Sequence, residues 1–165
     1  MLSKPSFQVV PLADVPKDDY STLTSKRPVV LVVDDEKIIA DTLSMILTKS
    51  GFHAVAAYHG LSALEMAKEI HPQLVITDIM MPMMSGIELA MEVTGVFPEC
   101  RILLFSGQSL QLHLDQSPVA GMLRKAREAG HDFTTMEKPI HPAELLRRAR
   151  EYFPADEFSG VGMIS

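Results

Sequence analysis

The sequence is poor in cysteine and has no tryptophan among its 165 residues. Its single cysteine, Cys100, cannot form a disulfide within the chain, which excludes a disulfide-stapled fold and fits a reducing compartment. Basic residues are also fewer than acidic ones, 15 against 21, so the formal charge is -6. Because a nucleic-acid surface needs a basic patch, we expect no direct binding of DNA or RNA.

Long apolar runs are absent as well. No stretch approaches the ~18 apolar residues of a membrane-spanning helix. The first residues, MLSKPSFQVVPLADVP, are interrupted by Gln8, Pro11 and Asp14 and do not have the pattern of a signal peptide. The six histidines are scattered, without the spacing of a zinc site. We therefore expect a cytoplasmic protein with no membrane segment.

Hydrophobic residues make up 47% of the chain, which is enough for one packed core at this length. Residues 1–27 are rich in proline, acidic residues and Ser/Thr, and we interpret them as an extended arm, either disordered or laid on the surface. Residues 28–153 carry the regular pattern of a folded domain. Residues 154–165 form a short tail.

Short apolar runs alternate with helical periodicity through the domain. Ile38, Ile39 and Leu43 recur at helical spacing, as do Leu61 and Leu64. Ser before Pro at 117–118 and the proline at 142 predict two further helix starts. Strands are predicted at 29–33, 52–58, 74–77, 101–105 and 133–137. The alternation predicts an α/β fold: a five-stranded parallel sheet, doubly wound, with helices on both faces.

Polar residues follow four of the predicted strands. These residues are Asp34, Asp35, Asp78, Ser106 and Lys138. Singly, each has an ordinary interpretation: a helix cap for Asp35, a turn residue for Ser106 and a solvated strand end for Lys138. Because ligands of such sheets bind beyond the carboxyl ends of the strands, we expect these side chains to meet at one rim.

The charges of this group predict a metal ion. Three carboxylates and one ammonium leave a surplus of two negative charges, which a divalent cation would cancel. All the ligands are oxygens, which favours Mg²⁺. A carboxylate beside Mg²⁺ and a lysine is a natural nucleophile for phosphoryl transfer. Asp78 ends a buried strand, where a carboxylate is costly unless it is compensated. We therefore predict that Asp78 is the reacting group.

Several separated stretches resemble the receiver domain of bacterial two-component response regulators. They are VVLVVDDEK, LVITDIMMPMMSGIEL, ILLFSG and EKPIHPAELL, and the resemblance covers about residues 28–153. It implies a flavodoxin-like (βα)5 sheet of order 2-1-3-4-5 and a phosphorylation-dependent signalling switch. Asp78 would be the phosphoacceptor, and Asp34 and Asp35 the acid pair that holds Mg²⁺.

The resemblance also implies roles for the remaining residues. Met80 falls where the family lends a main-chain carbonyl to the metal. Ser106 would be the hydroxyl switch residue, and Lys138 the site lysine, with a cis bond to Pro139. The protein would accept a phosphoryl group and lose it slowly, without turning over a substrate as an enzyme.

Partners follow from the same resemblance. A histidine kinase or a histidine phosphotransfer protein would donate the phosphoryl group, and a downstream protein would read the state. No second domain is evident after Phe153, so we expect a stand-alone receiver that is a monomer or a weak homodimer.

Two departures from the family pattern affect signalling. Thr135 stands where receivers usually have an aromatic residue, three positions before the lysine. The interval between Ser106 and Lys138 is also long for the family, with extra residues around 107–118. The stretch SLQLHLDQ at 109–116 alternates leucine with polar residues. Two interpretations stay open for it: a surface loop tucked against the core, or a loop that carries the signal in place of the aromatic residue.

Four methionines lie in the predicted loop after Asp78. A loop around a proline cannot bury all of Met80, Met81, Met83 and Met84, so we expect one or two of them to be exposed.

Two other functions are compatible with this fold. One is a pseudo-receiver, an interaction module without phosphoryl chemistry. The other is a Mg²⁺-dependent aspartyl phosphohydrolase. Those enzymes commonly place a second acid two residues after the nucleophile, where this chain has Met80.

Overall fold

The computed structural model describes residues 27–107 and 117–155, and in them five parallel strands form one sheet. The order β2-β1-β3-β4-β5 confirms the predicted topology. Each strand is within one residue of its predicted range at either end. The strands are β1 (Val29–Val33), β2 (His53–Ala57), β3 (Leu74–Asp78), β4 (Arg101–Ser106) and β5 (Thr134–Glu137).

A helix follows each strand. Ser117 caps the fourth helix with its side chain and Pro118 opens it, as predicted, and Pro142 opens the fifth. The longest helix has 13 residues. Within the described ranges, no helix combines the length and the apolar character that crossing a membrane requires. The helices are α1 (Lys37–Lys49), α2 (Gly60–Ile70), α3 (Gly86–Val96), α4 (Pro118–Glu128) and α5 (Pro142–Glu151).

The core lies in two layers, one on each face of the sheet. Alternate residues of a strand point to opposite faces, so Val30 and Val32 pack on one side and Leu31 and Val33 on the other. Helices α1 and α5 cover the first side, while α2, α3 and α4 cover the second. Because helices cover both faces of the sheet, the polar residues of the predicted site lie at the ends of the strands.

Two residues of the predicted helical stripes do not pack against the core. Ile38 is 82% exposed and Leu61 is 53% exposed, although both fit the helical stripes. Each is the second residue of its helix and lies in the first turn, at the rim where the strands end. Periodicity alone therefore does not predict the environment of a residue in the first turn.

Candidate functional site

The carboxyl ends of the strands bring the predicted polar residues to one rim. Asp34 follows β1 and Asp78 ends β3, and both are buried. Ser106, also buried, ends the neighbouring strand β4, and Lys138 follows β5. The register pairs Asp78 with the residue before Ser106. Residues at the ends of four strands therefore lie at one rim of the sheet.

Lys138 connects two of the acids. Its Nζ lies 2.9 Å from Asp34 Oδ2 and 3.4 Å from Asp78 Oδ2. Its main-chain N–H donates to the Ser106 carbonyl at 2.8 Å, which fixes the chain after β5 against β4. The peptide bond to Pro139 is cis, as predicted. Lys138 is therefore held inside the site and does not extend into solvent.

Three carboxylates form a cluster at the same rim. Asp34, Asp35 and Asp78 each offer one oxygen, and these oxygens lie within 4.8 Å of one another. Asp35 is exposed, and it is not the cap of α1, because Glu36 occupies that position. Asp34 Oδ1 accepts the Glu36 N–H at 2.9 Å. A cluster of hard oxygen donors with excess negative charge fits Mg²⁺.

The clustered charges shift the pKa values of Asp78 and Lys138. Burial raises the pKa of Asp78, and the charges of Asp34 and Asp35 raise it further, while Lys138 acts in the opposite direction. Burial by itself would lower the pKa of Lys138, but its bond to Asp34 and the two carboxylate charges outweigh burial and raise it. Lys138 thus stays protonated, yet it compensates the acids only in part.

The loop after Asp78 is fixed at both ends. The Ile79 N–H donates to the Phe105 carbonyl at 2.9 Å, and the Gly86 N–H donates to the Ile79 carbonyl at 2.9 Å. Ser85 and Glu88 form a capping box, with Ser85 Oγ accepting the Glu88 N–H at 3.1 Å and Glu88 Oε2 accepting the Ser85 N–H at 2.8 Å. The box ends the loop and begins α3.

The four methionines of this loop divide as predicted. Met80 is 53% exposed and Met83 is 93% exposed. Met81 and Met84 are half-buried against the core. Met84 packs so closely on Gly60 that a Cβ there would lie 2.7 Å from the Met84 Cβ. The loop after β3 is therefore in direct contact with the first residue of α2, beside Asp35.

Sequence reasoning missed the role of the residue that follows β2. Tyr58 donates its hydroxyl to Asp41 Oδ1 at 2.6 Å, and the Lys37 ammonium lies 5.0 Å from the centre of its ring. These contacts tie the β2–α2 loop to α1, and Tyr58 and Asp35 line the same small crevice. The sequence prediction placed Tyr58 inside the second strand, 52–58, whereas the strand ends at Ala57.

Of the two departures from the family pattern, Thr135 lies within the described ranges and most of the long stretch after Ser106 does not. Thr135 is half-buried on β5, and the nearby Phe133 stacks on His131 with ring centres 5.4 Å apart. Residues 108–116 lie outside the described residues, as do residues 1–26 of the arm and 156–165 of the tail.

Comparison with known proteins finds response regulators as relatives. The family model for the response regulator receiver domain matches residues 30–150. The probable transcriptional regulatory protein TcrX of Mycobacterium tuberculosis is 31% identical over 121 residues, which are 73% of this chain and 47% of that protein. The DNA-binding response regulator MtrA of Mycolicibacterium smegmatis is 28% identical over 87% of this chain and 58% of its own length.

Solved structures give the same result for the fold. The chemotaxis response regulator CheY4 of Vibrio cholerae superimposes with a TM-score of 0.62 at 25% identity, over 78% of this chain and 100% of that one. The chain spans between 11% and 58% of the length of the curated relatives that it matches. Among these relatives, the match is therefore to one part of a longer protein, whereas CheY4 is matched over its whole length.

Proposed function

The chain belongs to the response regulator receiver domain family, and from that premise we propose that it is a signalling switch that accepts a phosphoryl group on Asp78. One observation carries the proposal. The Lys138 ammonium lies within 3.4 Å of Asp78 and within 2.9 Å of Asp34, at a rim that holds three clustered carboxylates. This arrangement suits a carboxylate nucleophile and the anionic group that it would receive.

The proposed chemistry uses residues from three strand ends. A carboxylate oxygen of Asp78 attacks the phosphorus of the donor, the bond from phosphorus to the donor atom breaks, and an acyl phosphate forms. The Lys138 ammonium stabilises the negative charge of the transferred group. The Ser106 hydroxyl, at the end of the adjacent strand, donates to a phosphoryl oxygen in the product and so senses the new state.

The acids are proposed to hold Mg²⁺ in unequal ways. Asp34 already binds Lys138 through Oδ2 and the Glu36 N–H through Oδ1, so we assign it a contact through water. Asp35 and Asp78 would bind the ion directly, with the main-chain carbonyl of Met80. The ion would neutralise charge on the phosphoryl oxygens.

The phosphoryl donor is proposed to be a histidine kinase or a histidine phosphotransfer protein. A groove of about 470 Å³ runs between α1 and the loop that follows β5. Its wall is mostly apolar, with the exposed Ile38 on one side and Pro139 and Ile140 on the other. Because the groove includes Lys138, a protein bound there would reach Asp78 with a phosphohistidine.

The test is labelling with a small phosphodonor. We expect one phosphoryl group per chain after acetyl phosphate and Mg²⁺, located on Asp78 by mass spectrometry. Asp78→Asn should take up none, and the matched control Asp132→Asn, at an exposed aspartate paired with Arg127, should label normally. An unlabelled wild-type chain would indicate the pseudo-receiver, and turnover of phosphate esters would indicate the phosphohydrolase.

The remaining expectations of the sequence stay predictions. They are the stand-alone arrangement, the cytoplasmic location, the downstream protein partner and the state of monomer or weak homodimer.

A further inference from the structure

Thr77 is a hydroxyl residue in an otherwise apolar strand. It follows Leu74, Val75 and Ile76 in β3 and is fully buried between β1 and β4. A valine would fill such a position, and a buried hydroxyl costs free energy unless it is hydrogen-bonded. The Thr77 hydroxyl donates to the main-chain carbonyl of Asp78 at 3.0 Å. Its partner is therefore the backbone of the proposed phosphoacceptor.

The same carbonyl is enclosed from a second side. A Cβ added to Gly86 would lie 2.0 Å from the Asp78 carbonyl oxygen and 3.1 Å from the Thr77 Cγ2 methyl. The first residue of α3 thus packs directly on the peptide that joins Asp78 to Ile79. The N–H of the same peptide, that of Ile79, donates to the Phe105 carbonyl of β4 at 2.9 Å. The peptide is held by a hydroxyl, a helix start and the sheet.

We propose that Thr77 is a positioning residue for phosphoryl acceptance, an inference that rests on the proposed function of Asp78. Its hydroxyl is one of the three contacts that fix the rotation of the Asp78–Ile79 peptide, and the one made by a side chain. That rotation determines how the Asp78 carboxylate and the carbonyl of Met80, two residues on, are placed relative to each other. Both are proposed ligands of one ion, so a rotated peptide separates them. Thr77 acts through Asp78 and touches neither the ion nor the phosphoryl group.

Two substitutions separate the hydroxyl from the methyl group. Thr77→Val keeps the shape and removes the donor, whereas Thr77→Ser keeps the donor and removes the methyl that packs near Gly86. We expect Thr77→Val to raise the Kd for Mg²⁺ about tenfold and to slow labelling by acetyl phosphate by a similar factor. We expect Thr77→Ser to keep the wild-type Kd and labelling rate and to lower the melting temperature.

The measurement is an NMR titration with MgCl₂, which gives the Kd without any phosphoryl transfer, followed by labelling at saturating Mg²⁺. Thr94→Val is the matched control, because the Thr94 hydroxyl also donates to a main-chain carbonyl, that of Ala90 at 2.7 Å, near the other end of α3. It should leave the Kd unchanged.

The outcomes distinguish the two proposals. A wild-type Kd and labelling rate in Thr77→Val, or an equal loss in Thr77→Val and Thr77→Ser, would overturn the role of Thr77 while Asp78 remains the acceptor. If the wild-type chain binds Mg²⁺ but is not labelled, the proposed function fails, and the Kd of Thr77→Val still decides whether Thr77 positions the acids.

Discussion

At the scale of the single residue, the proposed role of Asp78 conflicts with the stability of the fold. It is 7% exposed, and burial and the charges of Asp34 and Asp35 raise its pKa above the ordinary value of 3.8. A carboxyl group whose pKa is higher in the folded chain than in the unfolded chain destabilises the fold when it ionises. The native residue is therefore retained at a cost in stability, which is common for residues that carry function.

The first prediction follows from the raised pKa of Asp78. In metal-free buffer at neutral pH, Asp78→Asn should increase the free energy of unfolding by about 1 kcal/mol, because the amide removes one of three clustered charges. The gain should shrink as the pH falls through the raised pKa of Asp78, where the wild-type carboxyl is neutral too. Thermal denaturation with EDTA across this pH range measures the difference. A variant less stable than wild type at neutral pH would contradict the account.

A second prediction concerns Lys138. Lys138→Met leaves Asp34 and Asp78 without their shared ammonium and should destabilise the fold by about 3 kcal/mol in metal-free buffer. The net charge of the cluster then falls from -2 to -3, so Mg²⁺ should bind more tightly while labelling is lost. Urea denaturation and a Mg²⁺ titration test both effects.

The control for this substitution is Lys68→Met. Lys68 pairs with Glu65 at 3.2 Å on the exposed face of α2. Exposed pairs contribute little, so the change should stay within about 0.5 kcal/mol. Equal losses in the two variants would show that Lys138 has no special place in the site.

At the scale of the element, α3 is tied directly to the site. Its first residue, Gly86, packs on the Asp78 carbonyl, and the capping box of Ser85 and Glu88 holds its start. The contact is with main-chain atoms at the end of a central strand, which cannot move aside as a flexible side chain can. Position 86 therefore has no room for a side chain.

The third prediction compares two glycines of this helix. Gly86→Ala should destabilise the fold by about 3 kcal/mol or more and impair labelling, because the new methyl would overlap a carbonyl oxygen 2.0 Å away. Gly95, near the end of α3, has no atom within 4 Å of an added Cβ. Gly95→Ala should stabilise by about 0.5–1 kcal/mol, since alanine is the better helix former. Denaturant unfolding of both variants checks the opposite signs.

Among the elements, the strands were predicted more accurately than the buried faces of the helices. Strands buried on both faces are short apolar runs with clear ends, so β1, with its sequence VVLVV, was predicted to the residue. Helix faces were predicted less well. Periodicity identifies the side of a helix that faces the sheet, but it does not show that the first turn, with Ile38 or Leu61, projects past the strand ends.

Contacts between loops were beyond prediction for a different reason. The packing of Met84 on Gly60 joins the loop after β3 to the first residue of α2, and neither residue has an unusual local pattern. The Ser85–Glu88 capping box, in contrast, has a recognisable spacing in the sequence and could have been predicted from it.

At the scale of the whole molecule, the site exists only in the folded chain. Asp34 and Lys138 form their ion pair across a separation of 104 residues. The rim could nevertheless be predicted from the sequence, because parallel strands place their carboxyl ends at one edge and five polar residues followed four apolar runs. Distances and burial could not, since they depend on the packing of every helix. Any ligand of these residues must therefore stabilise the whole fold.

The last prediction uses this coupling. An ion that binds the folded chain alone stabilises it by RT ln(1 + [L]/Kd), which is about 1.4 kcal/mol at a Mg²⁺ concentration ten times the Kd. We expect the wild-type chain to gain this amount in MgCl₂ compared with KCl of equal ionic strength. Asp35→Ala should lose the gain and also Mg²⁺-dependent labelling. Because Asp35 is exposed, its removal should change the metal-free stability by no more than about 0.5 kcal/mol. An equal gain in the variant and the wild type would mean that Mg²⁺ binds elsewhere or that Asp35 is not among its ligands.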